Sequence, residues 1–285
     1  MGRSRRPVLF YIGIVLACIV AYICLQRIQE GFEGPQLFDI PFHISRKRVD
    51  IPTVVSGVPL VFYQSWHSNK VPVKMKETIY KLLDMNPEFD YYLYSDEKSL
   101  EYIKEKYDND VVDAFNTLKP GAYKSDLWRY CVLYKEGGVY LDIKFYSVVP
   151  LLNIIRDNPI IYVRDLPHPC GGIYNAFMAS PPNNDIFKHC IDDIVNSCKL
   201  KLYKDTQLSI TGPCLLGDMV KKYIEADHVQ KLPFNIVWHW QDRNSDIHYN
   251  NEVIIKSYIE YRAEQSTFQK TMYYSDMWAA KDVYN

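Results

Sequence analysis

The stretch that most constrains the fold, Gly121–Phe145, joins a predicted helix to a predicted strand through a pair of glycines. Asp126 and Arg129 stand three residues apart in its first half, so both project from one face of the helix. Gly137-Gly138 supplies the backbone freedom that the end of a helix needs. The short apolar run that follows is typical of a buried strand, and it ends at Asp142. Because ligands bind at the carboxyl edge of open α/β sheets, these residues predict a polar site at that edge.

Strand-like and helix-like patterns alternate on both sides of this stretch. Apolar runs of strand length occur at Leu60–Tyr63, Phe89–Tyr94, Ile160–Val163, Gly171–Ala179 and Ile236–Trp238. Apolar residues recur at helical spacing in Pro72–Met85, Ser99–Tyr107, Asp185–Cys198 and Leu215–Ile224. Such alternation predicts a three-layer α/β sandwich with a largely parallel sheet.

Composition and missing motifs argue against several classes of function. The 285 residues carry a formal net charge of -1, whereas nucleic-acid binding needs a concentrated basic face. The chain has neither the Gly-x-Gly-x-x-Gly dinucleotide fingerprint nor the phosphate-binding loop of nucleoside triphosphatases. It also lacks the Gly-x-Ser-x-Gly elbow and the His-Glu-x-x-His helix. Dehydrogenase, kinase, esterase and metalloprotease activities are therefore disfavoured.

An apolar segment near the N-terminus, Val8–Leu25, contains no charged residue. As a helix with a rise of ~1.5 Å per residue it would span ~27 Å, enough for the hydrocarbon core of a bilayer. Three arginines precede it and no Ala-x-Ala cleavage pattern follows, so we predict a retained signal-anchor with a cytoplasmic N-terminus. The predicted organisation is a cytoplasmic tail (1–7), a transmembrane helix (8–25), a stem (26–57) and a globular domain (58–285).

The seven cysteines show no zinc-type Cys-x-x-Cys spacing. Five of them stand in the predicted globular body, so at least one is free or pairs between chains. Cys131 lies on the apolar side of the central helix, and we predict that it packs in the core.

The central stretch and several other segments together resemble glycosyltransferase family 32, whose sugar-binding region contains a DXD motif. The segments that carry the resemblance are Gln64–Trp66, Asn86–Phe89, Leu93–Asp96, Lys124–Tyr130, Gly137–Asp142, Pro150-Leu151, Asn175–Ser180 and Thr211–Pro213. The resemblance implies a GT-A (Rossmann-like) fold and transfer of a sugar from a nucleotide-diphosphate sugar with retention of anomeric configuration.

The resemblance also implies roles for individual residues. Asp126 and Arg129 would hold hydroxyls of the donor sugar, and Asp142 would be the first acid of the metal motif. Asp126 and Arg129 could instead form a buried ion pair that only stabilises the helix. The implied donor- and nucleotide-binding set is completed by Gln64, Ser65, Trp66, Tyr140 and Lys144. Aromatic and imidazole groups near the C-terminus, Trp278 and His239, are candidates for closing the site.

One position departs from the family pattern, because the DXD triplet here is Asp142-Ile143-Lys144. Mn²⁺ and Mg²⁺ take oxygen ligands, and an ammonium group cannot coordinate them. Three outcomes stay open. Asp142 binds the metal with other ligands such as His239 or Asp276, or Lys144 itself neutralises the diphosphate, or the site is inactive.

The sequence thus predicts a membrane-anchored glycosyltransferase that acts on a glycan, glycolipid or glycoprotein acceptor, with Mn²⁺ or Mg²⁺ as the expected cofactor. Its topology would be single-pass type II, with the catalytic domain in the secretory lumen or outside the cell. The alternative of another class is an inactive anchored protein that binds sugars or nucleotide-sugars. A hydrolase of nucleotide-sugars would share the same donor site.

Overall fold

A computed structural model describes residues 18–22, 36–166, 170–224, 231–242, 244–268 and 272–285. The chain divides into two compact units, Met1–Leu37 and Phe38–Asn285. Among the described residues, no helix has both the length and the apolar character needed to cross a membrane. Most of the predicted membrane span, Val8–Leu25, lies outside those residues, and so does the part of the predicted stem that precedes Gln36.

The regular elements follow in chain order. The strands are β1 (Leu37–Asp39), β2 (His43–Ile44), β3 (Val54–Val55), β4 (Val58–Pro59), β5 (Val61–Ser65), β6 (Lys70–Pro72), β7 (Asp90–Tyr94), β8 (Gly138–Leu141), β9 (Phe145–Ser147), β10 (Ile161–Arg164), β11 (Ile173–Ser180), β12 (Phe234–His239), β13 (Asn244–Tyr249) and β14 (Glu252–Ser257). The helices are α1 (Val73–Met85), α2 (Asp96–Lys106), α3 (Asn109–Thr117), α4 (Gly121–Glu136), α5 (Leu152–Asp157), α6 (Asp185–Lys199), α7 (Pro213–Tyr223), α8 (Tyr261–Phe268) and α9 (Tyr274–Ala279).

A ten-stranded mixed sheet organises the larger unit, in the order β2-β7-β5-β8-β11-β10-β12-β13-β14-β9. Within the described ranges, the parallel pairings are β5 with β7, β5 with β8, and β10 with β12. The prediction of an α/β architecture is confirmed, but the prediction of a mostly parallel sheet is wrong.

The antiparallel half of the sheet has a local cause. β13 and β14 are joined by Asn250 and Asn251, whose φ angles are 51° and 69°. Two central residues with positive φ form the tight turn that suits a two-residue hairpin, and asparagine tolerates that conformation. β11 also runs antiparallel to both of its neighbours, β8 and β10. The hairpin was not predicted, because no strand was expected after Trp238.

The sheet carries a separate apolar core on each side. One cluster includes the buried side chains of α4 and α6, and the other includes those of α1 together with the opposite face of the central strands. Helix α4 is buried over most of its length, and Leu127, Trp128 and Cys131 are all fully covered. The prediction that Cys131 packs in the core is confirmed. Because most of α4 is buried, a charged side chain on its buried face must find partners inside the protein.

The glycine pair after α4 works as predicted. Gly137 has φ +68°, and a Cβ added there would stand 2.6 Å from the main-chain nitrogen of Pro182. Gly138 has φ +93° and opens β8, whose four residues are all buried. β8 lies between β5 and β11, so Asp142 leaves the sheet beside the end of β5.

The larger unit begins at Phe38, whereas the predicted domain begins at residue 58. β2 pairs with β7 at the edge of the main sheet, and Ile40 is buried. These strands are too short to show a sequence period. Among the described cysteines, Cys170 and Cys214 form a disulfide, and Cys131, Cys190 and Cys198 are free and buried.

Candidate functional site

A cleft of about 900 Å³ opens where β5 and β8 end and β11 begins. Its lining comes from α4, from the segment after β8, from the start of β11, from α8 and from the tryptophans at the end of β12. This is the carboxyl edge of the parallel strands, the edge at which the sequence predicted a polar site. Of the residues named from the sequence, the cleft brings together Ser65, Trp66, Asp126, Arg129, Tyr140, Asp142 and Lys144.

The Arg129 guanidinium joins the two carboxylates of the site. One terminal nitrogen donates to the carbonyl oxygen of Asn175 at 2.8 Å and lies 3.4 Å from Oδ1 of Asp142. The other donates to Oγ of Ser125 at 3.0 Å and lies 3.3 Å from Oδ1 of Asp126. The residue is only 6% exposed, so these contacts use most of its donors. Arg129 is therefore placed to hold both acids in position.

Asp126 accepts hydrogen bonds from two separate parts of the chain. Nδ2 of Asn175 donates to one carboxylate oxygen at 2.9 Å, and Oγ1 of Thr211 donates to the other at 2.7 Å. Burial raises the pKa of Asp126 to about 6, although Arg129 and the two hydrogen bonds act in the opposite direction. The site thus holds one carboxyl group that is easily protonated.

Asp142 lies in a more cationic environment. The hydroxyl of Tyr140 donates to Oδ1 at 2.8 Å, and Nζ of Lys144 lies 3.1 Å from Oδ2. Burial acts to raise the pKa of Asp142, but Lys144, Arg129 and the Tyr140 hydroxyl outweigh it, and the pKa lies below its usual value. Gln64 fixes the main chain here, because its Nε2 donates to the Asp142 carbonyl at 3.3 Å.

Lys144 stands among aromatic rings rather than in solvent. Its Nζ lies 4.9 Å from the ring centroid of Phe145, 5.6 Å from that of Tyr174 and 5.9 Å from that of Tyr261. The side chain is 14% exposed and also lines the cleft. Burial acts to lower the pKa of Lys144, but Tyr174 and Asp142 outweigh it and raise the pKa above its usual value. Lys144 is therefore a fixed positive charge at the position where the family carries a second acid.

The end of β5 supplies the part of the lining that the sequence associated with a nucleotide. Oγ of Ser65 lies 2.7 Å from Oγ of Ser125, which links β5 to α4. Trp66 is 7% exposed, and its buried indole nitrogen has no hydrogen-bond partner. Gln64 is fully buried and is not part of the cleft lining, because its Oε1 accepts from the hydroxyl of Tyr91 on the core side.

Three late residues that the sequence put forward lie apart from the cleft lining. Nε2 of His239 is 3.0 Å from Oδ2 of Asp246 on the neighbouring strand. The indole nitrogen of Trp278 donates to the carbonyl of Tyr203 at 2.8 Å, and its ring packs against the core. Asp276 belongs to α9 and likewise does not line the cleft. Alternate residues of a strand face opposite sides, so the cleft receives the tryptophans on either side of His239 instead.

The donor set of this site does not suit a divalent cation. Both oxygens of Asp142 already face cationic or hydroxyl groups, and both oxygens of Asp126 accept internal hydrogen bonds. Lys144 cannot act as a ligand. Within the residues that the structure describes, no group of three or more His, Cys, Asp or Glu side chains is placed to bind a metal ion.

Sequence reasoning missed several residues that build the site, namely Tyr174, Asn175, Thr211, Tyr261 and Arg262. Asn175 and Thr211 belong to segments that carry the family resemblance, so that resemblance was a usable signal for both. The residues of α8 gave no such signal, because no helix or strand was predicted there.

The amino-acid sequence is similar to those of known glycosyltransferases. Residues 72–161 match the model of a glycosyltransferase sugar-binding region containing a DXD motif. The chain is 29% identical over 178 residues to the mannosyl phosphorylinositol ceramide synthase SUR1 of Saccharomyces cerevisiae, which covers 61% of this chain and 44% of that protein. It is 25% identical over 248 residues to inositol phosphoceramide mannosyltransferase 1 of Schizosaccharomyces pombe, which covers 82% of this chain and 76% of that protein.

Among solved structures, the PaToxG glycosyltransferase aligns with a TM-score of 0.46 and 13% identity, covering 79% of this chain and 85% of that one. The protein is an α/β protein with a cleft at the carboxyl edge of its parallel strands, and residues 72–161 are similar to the sugar-binding region of DXD glycosyltransferases. The predicted similarity to glycosyltransferase family 32 is confirmed by the family model and by these relatives. The match to SUR1 spans less than half of that protein.

Proposed function

We propose that the protein is a hexosyltransferase that moves a sugar from a nucleotide-diphosphate sugar to a hydroxyl group of a glycan, glycolipid or glycoprotein, with retention. The observation that carries the proposal is the convergence of Asp126, Arg129 and Asp142 on one cleft at the edge of the parallel strands. We interpret the α/β fold as a GT-A fold in which the nucleotide would lie beside the end of β5.

The contacts suggest a division of roles within this group. The N–H groups of Arg129 donate to protein acceptors. Arg129 therefore acts as a positioning residue that holds the two carboxylates in place. Asp126 and Asp142 both line the cleft, and each carboxylate oxygen can accept more than one hydrogen bond, so both residues would accept hydrogen bonds from donor hydroxyls. Trp66 lines the cleft and would pack against the nucleotide.

The acceptor side of the proposal rests on the relatives. Their names describe transfer of mannose to inositol phosphoceramide, which makes a mannosyl donor and a glycolipid acceptor the first pair to test. The apolar N-terminal segment Val8–Leu25 fits such an acceptor, since a signal-anchor would keep the domain at a membrane surface. We propose the type II orientation, with the globular unit in the secretory lumen.

A second candidate is an inactive protein that binds nucleotide-sugars, and Lys144 is the observation that favours it. An acid of the DXD motif is missing, yet the rest of the cleft is assembled.

One experiment separates the two functions. The purified full-length chain would be incubated with UDP- and GDP-hexoses and an inositol-phosphoceramide acceptor, with binding followed by calorimetry and transfer by mass spectrometry. Binding together with a hexose-sized mass increase of the acceptor is the expected result, and Asp142→Asn should abolish the transfer. Binding without transfer to any acceptor would favour the inactive protein. Absence of binding to every nucleotide-sugar would refute both.

A further inference from the structure

We propose that Lys144, supported by Arg262, binds the diphosphate of the donor in place of a divalent cation, so that donor binding needs no metal. This inference rests on the proposed function and adds to it the chemistry of the leaving group. It starts from the position of Nζ, 3.1 Å from Oδ2 of Asp142 and at the lining of the cleft.

Asp142 is the acid that remains in the DXD triplet. Oδ1 of Asp142 accepts from the Tyr140 hydroxyl and faces Arg129, while Oδ2 faces Lys144. A metal ion bound to Asp142 would have to displace one of these groups and then remain next to two fixed positive charges. Divalent cations choose sites rich in free oxygen ligands, and this carboxylate is already neutralised.

Aromatic side chains hold the ammonium group of Lys144 at the cleft. Three aromatic rings surround its ammonium group at 4.9 to 5.9 Å, and the faces of such rings attract cations. Tyr261, one of the three, is followed by Arg262, which also lines the cleft and lies close enough to Lys144 to act on its protonation. The side chains of α8 therefore bring a second cation to the same region.

The charged side chains that line the cleft give a further observation about the ligand. Among the described residues, the lining contains five cationic side chains, Lys119, Lys124, Arg129, Lys144 and Arg262, against four carboxylates, Asp96, Asp126, Asp142 and Asp165, and Lys119 is paired with Asp282 outside the lining. A site that recruits a divalent cation needs an excess of acid before the metal arrives. With Lys119 paired, the lining has no such excess of acid, which suits a diphosphate that arrives without a metal.

In the transfer step, the bond between the anomeric carbon and the acceptor oxygen forms as the bond to the β-phosphate oxygen breaks. The electron pair of the broken bond stays on that phosphate oxygen, and the acceptor proton passes to the departing diphosphate. Lys144 keeps its own proton throughout and donates a charge-assisted hydrogen bond to the developing negative charge.

The test measures equilibrium binding on the full-length chain, using the nucleoside diphosphate and the monophosphate of the base that the donor screen selects. Calorimetry is run in EDTA and again with Mn²⁺. We expect the diphosphate to bind in EDTA within about threefold of its affinity in Mn²⁺. Lys144→Met should weaken diphosphate binding by about tenfold or more and leave monophosphate binding nearly unchanged, because one charge-assisted hydrogen bond is lost.

A matched control is Lys135→Met, since Nζ of Lys135 also lies over two rings, 5.1 Å from Tyr107 and 5.7 Å from Tyr134, but outside the cleft lining. It should bind both nucleotides as the unmodified chain does. Lys144→Asp, which restores the acidic pair, should bind the diphosphate well only with Mn²⁺, and this gain shows that the variant is folded.

The other possible results of these binding measurements would overturn either the inference or the proposed function. Diphosphate binding by the unmodified chain only in Mn²⁺ overturns the inference and leaves the proposed function standing. Equal diphosphate affinity of Lys144→Met and Lys135→Met overturns the role of Lys144. If neither nucleotide binds with or without the metal, the proposed function itself fails.

Discussion

Replacing Asp126 by asparagine gives a quantitative test of the electrostatics at the centre of the cleft. The pKa of this carboxyl is raised from an ordinary value of 3.8 to about 6, with burial as the largest cause. The folded protein therefore holds the proton more tightly than the unfolded chain does. The stabilisation by the bound proton is complete below pH ~4 and is lost as the pH rises through ~6.

The size of this effect follows from the difference between the two pKa values. A difference of about 2 units corresponds to ~3 kcal/mol of unfolding free energy, at about 1.4 kcal/mol per unit. Asparagine has nearly the same shape and does not titrate. The unfolding free energy of the unmodified chain minus that of Asp126→Asn should therefore fall by ~3 kcal/mol between pH ~4 and ~7.

The assay is denaturant unfolding of both proteins at a series of pH values. Asp142→Asn serves as the control, because the pKa of Asp142 is lowered and the sign of its contribution reverses. Stability from Asp142 is present above its ordinary pKa and is lost as the pH falls through the lowered value. A difference curve for Asp126→Asn that is flat, or that rises with pH, would refute the reasoning. It would mean that Arg129 outweighs burial at Asp126.

Two further predictions concern parts of the fold that hold the cleft in place. Gly137→Ala should lower the melting temperature strongly or prevent folding, because its φ is +68° and the new Cβ would approach Pro182 to 2.6 Å; Gly121→Ala, with no atom within 4 Å of its Cβ, should fold normally in the same thermal scan. Replacing Cys170 and Cys214 by serine should reduce the unfolding free energy by up to ~4 kcal/mol, since their disulfide closes a loop with a sequence separation of 44. Reduction of the unmodified chain should give the same loss, and a double variant as stable as the oxidised protein would contradict this estimate.

Local signals in the sequence were sufficient for most of the elements around the site. The predicted strand at Phe89–Tyr94 is Asp90–Tyr94 in the structure, and the predicted helix at Asp185–Cys198 is Asp185–Lys199. These elements carry a clear apolar period over many residues, and that period depends only on near neighbours in the chain. Strand β2 was not predicted, and the sheet has fewer parallel pairs than expected, because strand direction depends on partners far away in sequence.

The sequence by itself determined that a helix, a glycine pair and a buried strand deliver Asp142 to a sheet edge, and that Lys144 stands where a second acid is expected. Both statements depend on residue identity and on local backbone chemistry. The tertiary structure alone decided which groups meet there. Asn175 and Thr211 reach Asp126, and Tyr261 reaches Lys144, across separations that no local pattern encodes. A buried charge needs partners from wherever the fold supplies them, so the environment of each acid became visible only once the chain was folded.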